Sequence, residues 1–560
     1  MALNLVNRLG ELNPQVFREL KGRLKPRNVL ITVAISLVGQ LILLMSFASE
    51  LPIDSWKNST QYSRYCTGSG KQYYSNYTCL SDGLGGFEIN WQLWWQDVFI
   101  WLSLIGIFAL LVVGTYMLLS DLSKEESRGT LNFLRLTPQS SLSILGGKLL
   151  GVPILLYIAV GLAFPLHLLS SLGGSISLGQ MLWFYLVIAS SCLCFYSLAL
   201  LFGLIGRKLG SFQPWLGSGV VLMFLVIMTT VLHHHSYNHQ ATDWLMLFHP
   251  GLLLPHLIDA NSLNPVNLYR KGSYLEELRW FYLPVGARVG TLASLTILNN
   301  ALWSYWAWQG IQRCFHNPTA NVFSKRQSYL LTAGFELTVI GFALAPDVAY
   351  TKRLFENAQM LVVFNLILFL GLIAALSPHR QALQDWARYR HQQPKSQRRG
   401  LLKDLLWGEK SPALVAIALN LAIASVILLT WVLFWSDSTY KMPALWALLL
   451  NISFILVCAT VAQLMLMMKA KKRSVWAATT VAGLIILPPI VFAFLSLNPN
   501  HLPDVWLFSA FHWAGVEHTV GVSVGFALIA QSLTLAVLNL QITRRLQKAG
   551  ESATKALCGS

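Results

Sequence analysis

The chain has 560 residues, of which 54% are hydrophobic and only 12% are charged. Soluble domains carry about twice that charged fraction, so this composition excludes a soluble enzyme and predicts an all-α polytopic membrane protein. The net charge of +17 could indicate nucleic-acid binding. The basic residues lie between apolar segments, however, as they do in the loops of membrane proteins, and we therefore predict no nucleic-acid partner.

Twelve apolar segments are long enough to cross the roughly 30 Å hydrocarbon core of a bilayer. They are residues 28–48, 97–120, 143–170, 180–206, 213–233, 287–310, 329–345, 355–376, 413–435, 443–468, 476–497 and 518–541. The segment 329–345 is the weakest of them, because it is short and contains Glu336. With the N-terminus inside, the predicted inside segments hold roughly three times as many Lys and Arg residues as the outside ones, the bias of cytoplasmic loops. Both termini are therefore predicted to be cytoplasmic.

The first predicted element is a short helix before the first span. On a helix, Val16, Phe17, Leu20 and Leu24 fall on one side, and basic residues fill the rest. This pattern predicts a basic amphipathic helix that lies on the inner membrane surface and binds lipids. Pro26 would then turn the chain into the first span.

The first outside loop, residues 49–96, contains Cys66 and Cys79, 13 positions apart. Because the outside is oxidising, a disulfide between them is one interpretation. Two free thiols in a flexible loop are the alternative.

The inside loop 121–142 holds two short amphipathic pieces separated at Thr137-Pro138. It begins with a charged group that includes Glu125, Glu126 and Arg128. An apolar patch that a soluble partner could bind follows it, made of Leu131, Phe133, Leu134 and Leu136.

This loop resembles the signature of ABC-2 type transporter permeases. Glu125-Glu126-Ser127-Arg128-Gly129-Thr130-Leu131 is followed by Leu136-Thr137-Pro138 and then by Ile144-Leu145-Gly146-Gly147-Lys148. The signature lies between the second and third spans, as it does in that family. The opening residues also resemble the start of such permeases, where a connecting helix lies on the inner surface. They are Asn13, Pro14, Phe17, Arg18 and Glu19.

The resemblance covers residues 1–312 and implies a six-helix permease unit of a bacterial ABC exporter in the inner membrane. It implies that the loop 121–142 couples this unit to a separate ATP-binding subunit. The coupling residues would be Glu125, Glu126, Arg128, Gly129, Thr130, Leu131, Leu134, Thr137 and Pro138. A homodimer or a second permease chain remains open as a further partner.

The chain has no phosphate-binding GxxxxGK[ST] pattern, since neither Gly70-Lys71 nor Gly147-Lys148 fits it. We therefore expect no catalytic residue and no cofactor in this chain, with ATP and Mg²⁺ on the partner subunit.

The second half, residues 313–560, is predicted to be another membrane unit of about six helices. Its basic inside loop 377–412 occupies the position that the coupling loop holds in the first half. From position alone we interpret it as a second, degenerate ATPase-docking element. A loop that binds anionic lipids is the equal alternative.

Two sets of polar residues could carry further chemistry. Glu336, and after it His167, is a candidate intramembrane polar site, because ionisable groups are costly in hydrocarbon and often functional there. Six histidines of the outer loop could bind a transition metal, but consecutive histidines point in different directions and no CxxC accompanies them. They are His233, His234, His235, His239, His249 and His256. We assign no metal site.

Two other functions fit the same spans. A secondary transporter would also have twelve spans and both termini inside, but we see no inverted repeat and few intramembrane charges. A membrane-embedded transferase acting on lipid-linked substrates would need a motif in the outer loop 234–286, and none is recognisable there.

Overall fold

The computed structural model describes residues 13–52, 62–69, 77–82, 86–234, 240–258, 272–344, 351–392, 400–435 and 439–558. In these ranges the chain is almost entirely helical. The sheet found there is one antiparallel pair of two-residue strands, β1 (Tyr62–Ser63) and β2 (Tyr77–Thr78). Ten of the described helices are long and apolar enough to cross a bilayer. The prediction of an all-α polytopic membrane protein is therefore confirmed.

The chain forms two compact units. The first contains residues up to 238, 243–279 and 283–318, and the second contains 239–242, 280–282 and 319–560. The longer helices of the first unit are α1 (Pro14–Arg23), α2 (Pro26–Ser49), α3 (Trp91–Phe108), α4 (Gly114–Ser127), α5 (Thr130–Arg135), α6 (Ser141–Gly151), α7 (Ile154–Gly173), α8 (Leu178–Ile205), α9 (Gln213–His234) and α10 (Val289–His316).

Helix α8 organises the packing of the first unit. It lies along α10, and α4 packs against both α8 and α9, while α2 and α3 pack on α7. A polar contact fixes the first of these pairs: Asn300 Nδ2 donates to the hydroxyl oxygens of Ser190 and Ser191, at 3.1 and 3.0 Å. Polar side chains that hydrogen-bond across helices are a common feature of helix contacts in membranes.

Helices α3 and α4 form one continuous run, Trp91–Ser127, interrupted by a π-helical turn at Ala109–Val113. At 1.5 Å per residue the run is roughly 55 Å long, so its two ends lie at opposite ends of the first unit. Tyr196 of α8 donates its hydroxyl to the Leu110 carbonyl in the turn, at 2.7 Å. Gly114 makes room for that tyrosine, because a Cβ there would overlap the Tyr196 hydroxyl.

The N-terminal end of this run lies beside the cysteine loop. Cys66 and Cys79 form a disulfide, and their Cα atoms are 4.8 Å apart. Next to it the Tyr65 ring is buried with Phe47 of α2 and Trp94 of α3. The Trp94 indole N–H donates to the Phe47 carbonyl at 3.0 Å, so the loop, α2 and α3 are held together at this end.

The second unit is built around one central helix, α16. Its longer helices are α11 (Lys325–Ala343), α12 (Thr351–Leu376), α13 (Arg380–Gln392), α14 (Leu401–Trp407), α15 (Leu414–Leu433), α16 (Lys441–Leu466), α17 (Arg473–Phe494) and α18 (Gly521–Cys558). Helices α12, α15, α17 and α18 all pack against α16, and α11 packs on α15.

Two predicted spans, 287–310 and 329–345, are helices but are not among the ten that qualify by hydropathy. Helices α10 and α11 occupy these positions, and both carry buried polar side chains. Thr332 of α11, for example, donates to Asn420 Oδ1 at 2.8 Å, and Asn420 Nδ2 donates to Ser328 Oγ at 2.9 Å. Hydrogen bonds of this kind to neighbouring helices help to accommodate helices of low hydropathy in this fold.

The predicted span 143–170 is wrong at its start. The chain leaves α6 at Gly151 and begins α7 at Ile154, with Pro153 at the boundary. Proline lacks the N–H that a continuous helix needs and crowds the preceding turn. The apolar span therefore begins at Ile154, and α6 is a separate helix that belongs to the site described below.

The contact at Gly114 predicts the effect of one methyl group. Gly114→Ala should lower the thermal midpoint of the detergent-solubilised protein, because overpacking a close contact costs about 1–3 kcal/mol. Gly106→Ala on the same run is the control, since a Cβ there meets nothing within 4 Å. Thermal denaturation followed by size-exclusion chromatography measures both, and equal midpoints for the two variants would contradict the close contact.

Candidate functional site

The site begins with the way in which α1 sits on α6. Asn13 caps α1, since its Oδ1 accepts from the backbone N–H groups of Gln15 and Val16, at 3.0 and 3.3 Å. Its amide also donates to the Ser143 carbonyl of α6 at 2.8 Å. Pro14 follows at the first helical position, where its missing N–H costs nothing. The Asn13-Pro14 pair thus starts α1 and attaches it to α6.

Two glycines of α6 provide the surface on which α1 lies. A Cβ at Gly147 would meet the Gln15 Cβ at 2.8 Å, and one at Gly151 would meet the Glu19 Cβ at 2.5 Å. Small residues four apart allow two helix backbones to approach closely. This approach brings the Glu19 carboxylate to Lys148, which lies between the two glycines on α6.

Lys148 is the centre of a group of charges that we call the charge cluster: Arg18, Glu19, Arg23, Asp121, Glu125 and Lys148. The Lys148 ammonium is 2.7 Å from Asp121 Oδ2, 2.9 Å from Glu125 Oε2 and 3.4 Å from Glu19 Oε1. Its side chain is only 1% exposed. The carboxylate oxygens of these three acids lie within 4.8 Å of one another, so the ammonium occupies the place that a bound cation would take among them.

Two arginines of α1 complete the charge cluster. Arg23 lies 2.6 Å from Asp121 Oδ1 and 3.2 Å from Glu19 Oε2, and Arg18 lies 3.2 Å from Glu125 Oε1. Three acids thus face three bases, and the formal charges cancel. Removal of one base would leave the three acids with only two cations in a poorly solvated place, and an uncompensated charge of this kind is costly.

Burial and ion pairing act on Lys148 in opposite directions. Burial lowers the pKa of the ammonium, but the carboxylates of Asp121, Glu125 and Glu19 together raise it above its usual range. The lysine therefore stays charged at neutral pH, and it connects α1, α4 and α6 through one atom.

The charge cluster positions the coupling segment, residues 121–142. Helix α4 ends at Ser127, and Gly129 adopts a left-handed φ of 72° that starts α5 in a new direction. A side chain with a Cβ is strained in that conformation, which accounts for glycine here. The Thr130 hydroxyl donates to the Glu125 carbonyl at 3.2 Å and ties the start of α5 to the end of α4.

The apolar residues of α5 and its end divide into two sets. Leu131 and Leu134 are buried, at 1% and 9% exposure, whereas Phe133 and Leu136 are exposed, at 72% and 85%. Leu131 and Leu134 were predicted to contact a partner, but they pack inside this chain. Phe133 and Leu136, which we call the exposed pair, are the apolar side chains that remain accessible.

A second set of charges holds the far side of α5. Glu126 lies 3.7 Å from Arg135 and 3.4 Å from Arg207, and Arg207 also donates to the Pro318 carbonyl at 2.9 Å. The Arg135 guanidinium lies over the Phe315 ring, 5.9 Å from its centroid. The coupling segment is therefore attached to the chain after α8 and to the end of α10.

The structure thus brings together several residues that the sequence singled out. Asn13, Pro14 and Glu19 meet the coupling segment through α6, and Arg18 meets it directly through Glu125. Arg128 and Pro138 are exposed, and the Thr137 hydroxyl donates to the Leu134 carbonyl at 2.7 Å.

Helix α1 was expected to lie on the membrane surface, but one of its faces contacts the protein instead. Its buried residues, Gln15, Val16, Glu19 and Leu20, include two from the predicted apolar stripe. This face packs on the protein, mainly on α6. Phe17 is half-buried and Arg18 is exposed, so a different face remains for lipid.

Lys148, Asp121 and Arg23 were not among the predicted site residues. The signal for Lys148 was its place at the end of the Ile-Leu-x-Gly-Lys pattern. Its acidic partners are 27 and 129 residues away along the chain, and sequence patterns alone do not pair residues at such separations.

The other predicted sites lie elsewhere. Glu336 is fully buried on α11, and neither carboxylate oxygen has a hydrogen-bond partner among the described residues. It lies four residues after Thr332 on α11, and Asn365 of α12 is near it. His249 is also buried, between the Thr229 hydroxyl and the Gly251 N–H. Four of the histidines have side chains that fall outside the described residues: His233, His234, His235 and His239. No metal site is assigned to them.

The basic loop 377–412 contains α13 and α14. Helix α13 packs along α18 through Leu383 and Ala387, whereas α14 has no buried residue. The Lys325 ammonium donates to the Leu405 and Pro412 carbonyls and to Ser411 Oγ, at 2.6, 3.1 and 2.6 Å. Burial lowers the pKa of Lys325 to about 8, and Asp404 acts against this shift. The docking role of this loop stays a prediction.

The fold and the charge cluster define an integral membrane protein. In it the short helices α1 and α5 are connected to the end of a long apolar helix, α1 by ion pairs and α5 by a hydrogen bond. That class includes the membrane subunits of transporters. Residues 17–272 match the family model described as ABC-2 family transporter protein. This region is therefore similar to ABC-2 family transporter proteins, and the match supports a membrane permease of an ABC transporter. Of the second unit, the match includes only residues 239–242. Neither the curated proteins nor the solved structures contain a match to this chain.

The charge cluster predicts a strong effect at Lys148. Lys148→Met should lower the free energy of unfolding by about 3–5 kcal/mol, because it leaves three carboxylates with too few cations. Thermal denaturation in detergent should show a lower midpoint for this variant. Lys124→Met, an exposed lysine of the same region, should leave the midpoint unchanged.

A double variant tests whether the loss of stability in Lys148→Met comes from the lost charge or from the changed shape of the side chain. Lys148→Met/Asp121→Asn removes one acid as well and should recover part of the lost stability. If the double variant is less stable than Lys148→Met by the full effect of Asp121→Asn alone, the two residues are not coupled.

Proposed function

We propose that this permease is an exporter of a bacterial cell membrane, energised by a separate ATP-binding subunit that docks on the coupling segment. The observation that carries the proposal is the division of α5. Its buried side and its charges are attached to the permease, while no described residue covers the exposed pair. Uncovered apolar side chains on a rigid surface helix are typical of a protein contact.

The surroundings of the exposed pair suggest what the partner surface looks like. Lys124 and Arg128 are exposed at the start of the coupling segment. A partner groove with an apolar floor for Phe133 and Leu136 and acidic residues at its rim would complement this surface. Charges at the rim would speed and orient the encounter, and the apolar pair would supply most of the affinity.

The connections of α5 provide a route for the movement of a partner. A displacement of α5 would act on α4 through Thr130 and Glu125, and on α1 and α6 through the charge cluster. The Glu126 contacts would carry it to Arg207 and to the end of α10. Because α4 continues into α3 across the π-helical turn, such a movement reaches the outer side of the first unit.

The experiment is co-purification from the native host. The wild-type protein, solubilised in mild detergent, should retain a subunit that carries a phosphate-binding loop, identified by mass spectrometry. Phe133→Asp/Leu136→Asp should lose that subunit, because two charges would enter the apolar floor of the groove. Both side chains are exposed, so the double variant should keep the wild-type thermal midpoint.

Leu80→Asp provides the matched control, since Leu80 is an exposed apolar residue in the outer loop. It should keep the ATP-binding subunit. Retention of the subunit by Phe133→Asp/Leu136→Asp would contradict docking on this segment. If no ATP-binding subunit accompanies the wild-type protein, the proposal of a partner ATPase fails, and ATP-independent transport becomes the better hypothesis.

The same assay tests the second basic loop. Leu402 and Trp407 are exposed on α14, at 69% and 52%. Leu402→Asp/Trp407→Asp should weaken retention of the ATP-binding subunit if this loop is a second docking element. Full retention, together with weaker binding to vesicles that contain anionic lipid, would instead identify it as a lipid-binding loop.

A further inference from the structure

A cavity of about 870 Å³ lies in the first unit, between α2, α3, α7 and α8. This volume is typical of a site for a ligand of drug or lipid size. None of the described residues that line it is Asp, Glu, Lys or Arg. Apolar residues at its edge, such as Ile35, Ile105 and Phe164, are exposed, so the cavity opens on the apolar surface of the helices.

The polar part of the lining centres on His167. The Ser103 hydroxyl has one proton, which it donates to the Phe99 carbonyl at 2.7 Å. We therefore assign the donor role in that contact to the His167 Nε2 atom, which is 2.8 Å from Ser103 Oγ. Nδ1 is then the acceptor, and it receives the Tyr185 hydroxyl at 2.6 Å. His167 is a neutral imidazole with both ring nitrogens satisfied.

The other hydroxyl donors of the lining are also used within the protein. Ser36 donates to the Ala159 carbonyl at 2.7 Å, Tyr157 to the Leu149 carbonyl at 3.0 Å, and Tyr196 to the Leu110 carbonyl at 2.7 Å. The Gln40 amide donates to Ser36 Oγ at 3.1 Å and to the Leu162 carbonyl at 3.4 Å.

The cavity therefore offers hydrogen-bond acceptors to a ligand and few donors. Tyr185 Oη has donated its proton to His167 but keeps its lone pairs, and the Gln40 side-chain carbonyl oxygen is an acceptor as well. An anionic ligand such as a phosphate would need donors or cations, and in an apolar cavity without them its burial is costly. A pure hydrocarbon would leave the acceptors without partners, which is also unfavourable.

We propose that this cavity binds a neutral amphiphile that carries hydroxyl groups. Its apolar body fills the space between α2, α3, α7 and α8, and its hydroxyl groups donate to Tyr185 Oη and to the Gln40 carbonyl oxygen. The inference goes beyond the proposed function, because binding of such a ligand requires neither an ATP-binding subunit nor transport.

Photolabelling in phosphatidylcholine nanodiscs tests the proposal. Three probes of equal chain length are compared: a diazirine-bearing hexadecanol, its methyl ether and its phosphate ester. Mass spectrometry of the labelled peptides should place the alcohol on the cavity-lining helices. Labelling by the ether and by the phosphate should be lower by roughly two- to tenfold, the range for one lost hydrogen bond.

Two glycine variants separate cavity binding from labelling of the outer surface. Gly161→Phe should block the alcohol, because Gly161 lines the cavity and a Cβ there meets nothing within 4 Å. Gly219→Phe is the matched control, since Gly219 on α9 is equally open but does not line the cavity. It should leave the labelling unchanged.

Gln40→Leu tests the polar contact itself. This variant should retain labelling by the ether but reduce the preference for the alcohol over the ether. Equal labelling by all three probes, a preference for the phosphate, or full labelling of Gly161→Phe would each overturn the proposal. None of these results depends on a partner ATPase, so they are independent of the co-purification experiment.

Discussion

The buried ammonium group of Lys148 joins three helices of the first unit at one point. It lies within ion-pair distance of acids from α1 and α4, while its own backbone belongs to α6. None of these helices can slide or rotate far without separating a charge from its partner in a place that water hardly reaches. The glycines of α6 and the cap of α1 hold α1 against α6, and this brings the Glu19 carboxylate to the Lys148 ammonium.

The second unit uses a buried lysine differently. Lys325 donates to two backbone carbonyls and a hydroxyl that all belong to residues 405–412, so it fastens one loop to the start of one helix. Lys148 joins side chains from separate helices. A displacement at the basic loop therefore acts on α11 alone through this contact, whereas a displacement at the coupling segment acts on several helices together.

Much of the fold could be predicted from the sequence, because apolar segments of bilayer length and the bias of basic residues are local signals. The Gly-Thr-Leu pattern also marked the place where the structure has the break between α4 and α5. Which of its leucines face inward could not be predicted, since α5 has only six residues and its direction depends on one left-handed glycine. The partners of Lys148 were equally hidden, because the spacing of Gly147 and Gly151 permits a close helix contact without saying which helix makes it. Helix α1 was assigned to the lipid surface for the same reason.

The π-helical turn at Ala109–Val113 fixes the rotational phase of everything after it. A π-turn contains about one residue more than an α-turn, so the faces of α4 are rotated by roughly 100° from those that an uninterrupted α3 would present. With this phase, α3 faces α7 while α4 faces α8 and α9, and Asp121 and Glu125 point toward Lys148. Chain length in this turn is therefore under tighter constraint than its side chains: the loss of one residue would turn both acids away from their base, although no charged residue had been altered.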